Sequence, residues 1–245
     1  MTTLPMLLAH ILIVYAVFIQ PVIGLYSYRG LRRRAAVEEK ARIYFYLRGI
    51  AAKWLWVLAV AVVLLLAEQP AQVIGLQMPT SWFATVFWFL LFGLFILVTI
   101  IGYKRLIRQP EDFKQIQEQA AVKLLPKSSQ ERWLWIAAAI TAGVSEEILY
   151  RGFLLFYLTL LWPGAHPLVA IVLSGLVFGL GHFYQGWQGS VITGVIGALL
   201  MAVYITSGSL LVAIVIHALV DLRALFFVPP AEAEALVDSS GPLKL

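Results

Sequence analysis

The sequence predicts an all-α protein: a polytopic transmembrane helical bundle of about seven spans, with room for an eighth, flanked by amphipathic interfacial helices. Three observations predict it. Apolar runs of about 20 residues, enough to cross a bilayer, recur along the whole chain. Only 13% of residues are charged while 61% are hydrophobic, too few charges for the surface of a soluble protein of this length. The basic residues also collect in two stretches beside apolar runs, as the positive-inside rule expects.

The spans fall at about 4–26, 49–68, 80–107, 133–161, 167–184, 190–206 and 209–228. The first lacks a preceding Lys or Arg and a following small-residue cleavage site, so it reads as a retained helix, not a signal peptide. Between the first two spans lies a basic stretch running from Arg29 through Arg32, Arg33 and Arg34 to Arg48. A second, from Lys104 to Arg132, separates the third and fourth spans. Each is a candidate surface-lying helix. With both stretches cytoplasmic, the N-terminus lies outside and the C-terminus inside. The setting expected is a prokaryotic plasma membrane. Prolines in Trp162–Pro167 and at Pro229-Pro230 mark helix ends. Three parts follow: N-terminal spans with their basic segments (1–129), a membrane domain carrying the chemistry (130–228) and a short tail (229–245).

Composition narrows the function. The net charge of +5 is explained by membrane topology, so no nucleic-acid partner is expected. The absence of cysteine excludes disulfides, thiolate metal sites and cysteine nucleophiles. What remains is a set of ionisable groups inside apolar runs. A charge at the centre of a membrane helix costs about 2.5–3.5 kcal/mol on insertion scales, and such a residue is a functional candidate by default.

Three groups of this kind occur. Glu146, Glu147 and Arg151 stand in the fourth span. Glu147 and Arg151 are four apart and share a helix face. Glu146 is turned about 100° away, so one carboxylate can be held by the arginine while the other faces a wet cavity, the arrangement of an acid/base pair. Phe178 and His182 share a face in the fifth span, beside Gly175, Gly179 and Gly181, which leave room for close approach. His217 and Asp221 are four apart in the last span, where a carboxylate orients an imidazole or both bind one metal. His10 and His166 are weaker candidates, and Trp54, Trp56, Trp133, Trp135 and Trp187 read as interfacial belts. Together, carboxylates and imidazoles in one buried cavity suit activation of water for attack on a carbonyl. The alternatives are a non-catalytic scaffold or regulator, and a proton-coupled transporter. The transporter is disfavoured because the second half shows no inverted repeat or paired broken helices.

Glu146-Glu147-x-x-x-Arg151, Phe178-x-x-x-His182 and His217-x-x-x-Asp221, in that order and with Ser207-Gly-Ser-Leu before the last, resemble the motifs of the CPBP family. This is the CAAX-protease and bacteriocin-processing group, also called Abi. The resemblance covers roughly residues 130–228. It implies an intramembrane endopeptidase embedded in the lipid bilayer and acting on a peptide or membrane-protein substrate. It implies Glu146 as the water-activating glutamate assisted by His182, Glu147 and Arg151 as organisers, and His217 and Asp221 as oxyanion or water-orienting groups. The family has been read both as metallo- and as glutamate-type, which leaves the cofactor open. If a divalent metal such as zinc is bound, Glu146, His182 and His217 are the ligands expected. Asp221 departs from the asparagine usual in the prenyl-protease branch, which weakens the inference that the substrate is prenylated. Residues 127–136 are expected to lie along the membrane surface, with the crossing beginning later and the cavity open to the cytoplasm.

Overall fold

The computed structural model describes residues 3–35, 38, 40–106 and 124–227. Seven helical rods make up the described residues, one for each predicted span. They are α1 (Thr3–Arg34), α2 (Ala41–Leu66), α3 (Trp82–Leu106), α4, α5 (Pro167–Gly181), α6 (Trp187–Ser207) and α7 (Leu210–Leu222). The rod α4 is three segments in one run: an α-helix over Ser129–Glu147, a π-helix over Ile148–Phe153 and an α-helix over Leu154–Leu161. A π turn at Tyr15–Ile19 also interrupts α1. Five rods are long and apolar enough to cross a membrane, α7 among them when counted with the 3-10 segment Arg223–Phe227 that continues it. Pro167–Gly181 is a shorter apolar helix, and α4 carries the buried charges.

The bundle is apolar outside as well as inside, as an integral membrane protein requires. Phe83, Leu65 and Leu90 are among the most exposed side chains. The core lies where α2, α4, α6 and α7 meet, around Phe153, Leu200, Met201, Leu210 and Ala213, all fully buried.

The rods alternate in direction, and contacts at both ends fix this. At one end the segment before α3 is laced to the α6–α7 turn. Thr80 N donates to Ser207 O (2.9 Å), Leu210 N to Gly75 O (2.8 Å) and Gln77 Nε2 to Gly208 O (3.0 Å). Gly208 makes that turn at φ 71° with Thr80 packed against it, a conformation that a side chain would strain. At the other end Tyr103 Oη donates to Phe227 O, and Arg42 pairs with Glu131 at 3.0 Å.

Two sequence expectations change here. Among the described residues the first basic stretch forms no surface helix of its own. Residues up to Arg34 extend α1, and Ala41 already begins α2. Arg32, Arg33 and Arg34 occupy the last turn of α1, where cations complement the negative end of the helix dipole. Residues 129–136 are the first turns of α4 and form no separate helix. Ser128 caps α4, its Oγ accepting from Glu131 N (3.2 Å), and the rod then runs unbroken to Leu161. The surface helix expected between α3 and α4 falls largely outside the described residues, as does the tail.

Close packing of α5 on α6 sets the site's frame. A Cβ on Gly175 would lie 2.9 Å from Gly194 O, and one on Gly179 would lie 2.8 Å from Ser190 O. The backbones therefore meet at glycine distance. In the α4–α5 hairpin, Ser174 Oγ donates to Tyr150 O (3.0 Å), which fixes the register. Glu146 and His182 then each lie about 22 Å along their rods from the connecting turn, at 1.5 Å per residue.

Candidate active site

The six ionisable motif residues gather at one level of the bundle, but not in one environment. A cavity of about 1010 Å³ enters from the end of the bundle where α1 finishes and α2 begins, lined there by Arg34, Glu38 and Ala41. Glu146, His182, His217 and Asp221 line its inner wall. Glu147 and Arg151 stand behind the wall, with no exposed surface.

The rear pair is locked from several sides. Arg151 Nη1 lies 2.8 Å from Glu147 Oε1, an ion pair angled outside hydrogen-bond geometry. Arg151 Nη2 donates to Gly197 O at 3.3 Å, and the guanidinium sits 4.1 Å from the Phe178 ring centroid. Glu147 Oε1 also accepts from His217 Nδ1 at 2.6 Å. A carboxylate held by an arginine only accepts, so Nδ1 carries the proton of that bond.

The front carboxylate faces the cavity. Glu146 Oε1 is 2.5 Å from Lys53 Nζ, on α2. Its other oxygen lies 3.8 Å from His217 Nε2, which is in turn 3.7 Å from Asp221 Oδ2. His182, at the C-terminal end of α5, places Nδ1 2.8 Å from its own helix's Phe178 O. A carbonyl only accepts, so here too the δ nitrogen is the donor. The Phe178 ring stands between the two imidazoles, 4.5 Å from His182 and 5.7 Å from His217 by ring centroids.

Among the described residues no three carboxylate or imidazole groups are placed to hold one ion, so the trio Glu146, His182 and His217 does not assemble as a ligand set. The position on Glu146 Oε1 that a cation would take is filled by the Lys53 ammonium.

The remaining sequence candidates sort simply. His10 bonds Met6 O (2.6 Å) and meets Tyr157 edge-on, away from the cavity. His166 caps α5, its Nδ1 accepting from Leu168 N at 3.3 Å. Trp54, Trp133 and Trp187 are exposed, as belt residues are. Trp56 is not: it is buried in the cavity wall, donates to Tyr15 Oη (3.2 Å) and lies under Lys53. Trp135 also lines the cavity and reaches Asp221 O at 3.4 Å.

Residues 128–223 match the family model described as Rce1-like, type II CAAX prenyl endopeptidase Rce1-like. This segment, less than half of the chain, is similar to Rce1-like endopeptidases. No curated relative and no solved structure matches the chain. The matched segment begins at the N-cap of α4 and ends just past Asp221, so it contains all seven motif residues. The match supports membership among the CAAX-protease-like intramembrane proteases, which work in the lipid bilayer on peptide substrates. Lys53, which touches the front glutamate, lies outside the Rce1-like segment and outside the motifs. Its one signal in the sequence is a lysine inside an apolar run.

Proposed function

We propose that this chain is an intramembrane endopeptidase in which Glu146 activates water for attack on a peptide carbonyl. The observation that carries the reading is the asymmetric holding of Glu146. One oxygen is fixed by Lys53 at 2.5 Å, and the other faces His217 Nε2 across 3.8 Å at the cavity wall. A water within hydrogen-bond reach of both groups is placed to lose a proton to the carboxylate. Its oxygen bonds to the scissile carbon while the carbonyl π electrons move onto oxygen. Collapse breaks the C–N bond, and the proton held on Glu146 passes to the leaving amine. His182, with Nδ1 committed to Phe178 O, keeps Nε2 for proton relay at the same wall. Glu147 and Arg151 hold His217 from behind. No step runs through a metal.

The lengths suit a site near one membrane surface. The rod α4 is about 50 Å long at 1.5 Å per residue, against a hydrocarbon core of about 30 Å. With the Leu161 end at one interface, Glu146 lies about 8 Å below the other. That end carries the basic residues Arg32 to Arg34 and Arg42, which the positive-inside rule assigns to the cytoplasm. The substrate is then a peptide entering from the cytoplasmic face, and its prenylation is decided by comparing prenylated and unmodified CAAX-type peptides.

The test is cleavage of those two peptides by wild type and Glu146→Gln in liposomes, with and without a chelator. The expected result is cleavage by wild type unaffected by chelation, and a loss of about 10²–10⁴-fold in Glu146→Gln. A folded Glu146→Gln protein cleaving like wild type overturns the reading. Activity lost to chelator and restored by zinc overturns its metal-free form.

A further inference from the structure

Peptide hydrolysis through a tetrahedral intermediate needs a donor for the oxyanion as well as a base. The groups around Glu146 differ in what they can give. Asp221 in its ionised form only accepts. His182 spends its Nδ1 proton on Phe178 O, which leaves a lone pair on Nε2 of the neutral ring. His217 lies among carboxylates. Its Nδ1 is on Glu147, and its Nε2 lies between Glu146 and Asp221 at 3.8 and 3.7 Å, in the field of two carboxylates but hydrogen-bonded to neither. Arg151 has no exposed surface.

Lys53 is different on every count. Its ammonium carries three donors, and one of them is used, on Glu146 Oε1. It lines the cavity with 23% of its side chain exposed, and it stands on α2, across from the histidines. The Trp56 ring lies 5.4 Å from the ammonium and confines it on one side. The space before it is open: Gly49, one turn earlier on α2, has nothing within 4 Å of an added Cβ, and it too lines the cavity.

From this geometry we infer that Lys53 is a catalytic residue, the N–H donor that takes the oxyanion formed when Glu146-activated water adds to the scissile carbonyl. The inference rests on the endopeptidase reading. As the water proton moves to Glu146, the negative charge leaves that carboxylate and appears on the carbonyl oxygen. The ammonium beside Glu146 meets that charge without changing its own protonation. Charge stabilisation of this kind acts on the transition state more than on the bound peptide, so it belongs to kcat.

The test uses the full chain in liposomes, with Lys53→Met, Lys53→Arg and wild type. The probes are the cleavable peptide, an uncleavable N-methyl version of it, and a phosphinate version whose anionic tetrahedral centre mimics the intermediate. Lys53→Met is expected to lower kcat by about 10²–10³-fold and to weaken phosphinate binding by a similar factor, while N-methyl peptide binding stays near wild type. Lys53→Arg is expected to recover part of both losses. Equal weakening of phosphinate and N-methyl peptide makes Lys53 a structural residue and overturns the inference, as does unchanged phosphinate binding. The binding measurements do not depend on turnover. Absence of cleavage by wild type overturns the endopeptidase reading, and selective phosphinate binding through Lys53 identifies that failure as distinct.

Discussion

Removing the positive charge behind the cavity gives the sharpest test of the site's construction. In Arg151→Met, Glu147 loses its partner at 2.8 Å, Gly197 O loses a donor, and the cation–π contact with Phe178 at 4.1 Å disappears. Neither Arg151 nor Glu147 has exposed surface, so water cannot take the guanidinium's place. Breaking a buried pair by deleting one partner costs about 3–5 kcal/mol, most of it the burden of the charge left behind. The pair is incompletely satisfied, since Glu147 Oε2 and Arg151 Nε have no hydrogen-bond partner, which places the cost toward the lower end. At about 2–4 °C per kcal/mol for a chain of this size, a cost near 3 kcal/mol lowers the melting temperature by about 6–12 °C. The assay is thermal unfolding in detergent for Arg151→Met, Glu147→Gln and the double variant. If stranded charge is the cause, the double variant is more stable than Arg151→Met alone. A loss in Arg151→Met below about 1 kcal/mol, the range of an exposed pair, or a double-variant loss equal to the sum of the two singles, refutes the reasoning.

Two further outcomes follow from the same geometry. A Cβ on Gly197 would stand 2.9 Å from Phe178 Cβ and Cδ1, so Gly197→Ala displaces the ring that both imidazoles and Arg151 contact. It is expected to cost about 1–3 kcal/mol in unfolding and to slow peptide cleavage, whereas Gly102→Ala, with nothing within 4 Å, serves as the neutral control; equal activity in the two variants removes Phe178 from the site. The chain has no cysteine, so single cysteines report topology: Gly49→Cys is expected to react with a membrane-impermeant maleimide from the cytoplasmic side and Met78→Cys from the outer side, and the opposite pattern inverts the proposed orientation.

The parts legible in the sequence are those written locally. Each predicted span corresponds to one rod, because a membrane helix needs only an unbroken apolar run. The separation of Glu146 from Glu147 is also legible, since adjacent helical residues point about 100° apart. What local pattern does not carry is the partner of Glu146. Lys53 stands a few residues inside its apolar run, where a lysine ordinarily snorkels to the interface. Only the packing of α2 against α4 brings its ammonium to Glu146. Trp56 escapes a sequence reading for the same reason, since belt and cavity tryptophans have the same spacing and differ only in what faces them. Basic residues expected to open a separate surface helix instead complete the last turn of α1, where they complement the helix dipole.

On the proposed endopeptidase reading, the adjacency of the two glutamates has a physical use. A base on a flexible mount would lose the angular precision that water activation needs, and a base sealed in the core would have no water. Glu147 resolves the first difficulty. Tied to Arg151 and His217, it anchors α4 to α7 at the residue next to the base, so the backbone beneath Glu146 is fixed from behind. Lys53 resolves the second by balancing the charge of Glu146 from the open side of the cavity, leaving the other carboxylate oxygen to face His217. The π turn begins one residue later, at Ile148, and π turns recur at functional sites. Each glutamate is thus matched by its own cation, one from within the Rce1-like segment and one from outside it. On the proposed mechanism the N-terminal helices belong to the chemistry as well as the fold, because α2 supplies the ammonium beside the front carboxylate.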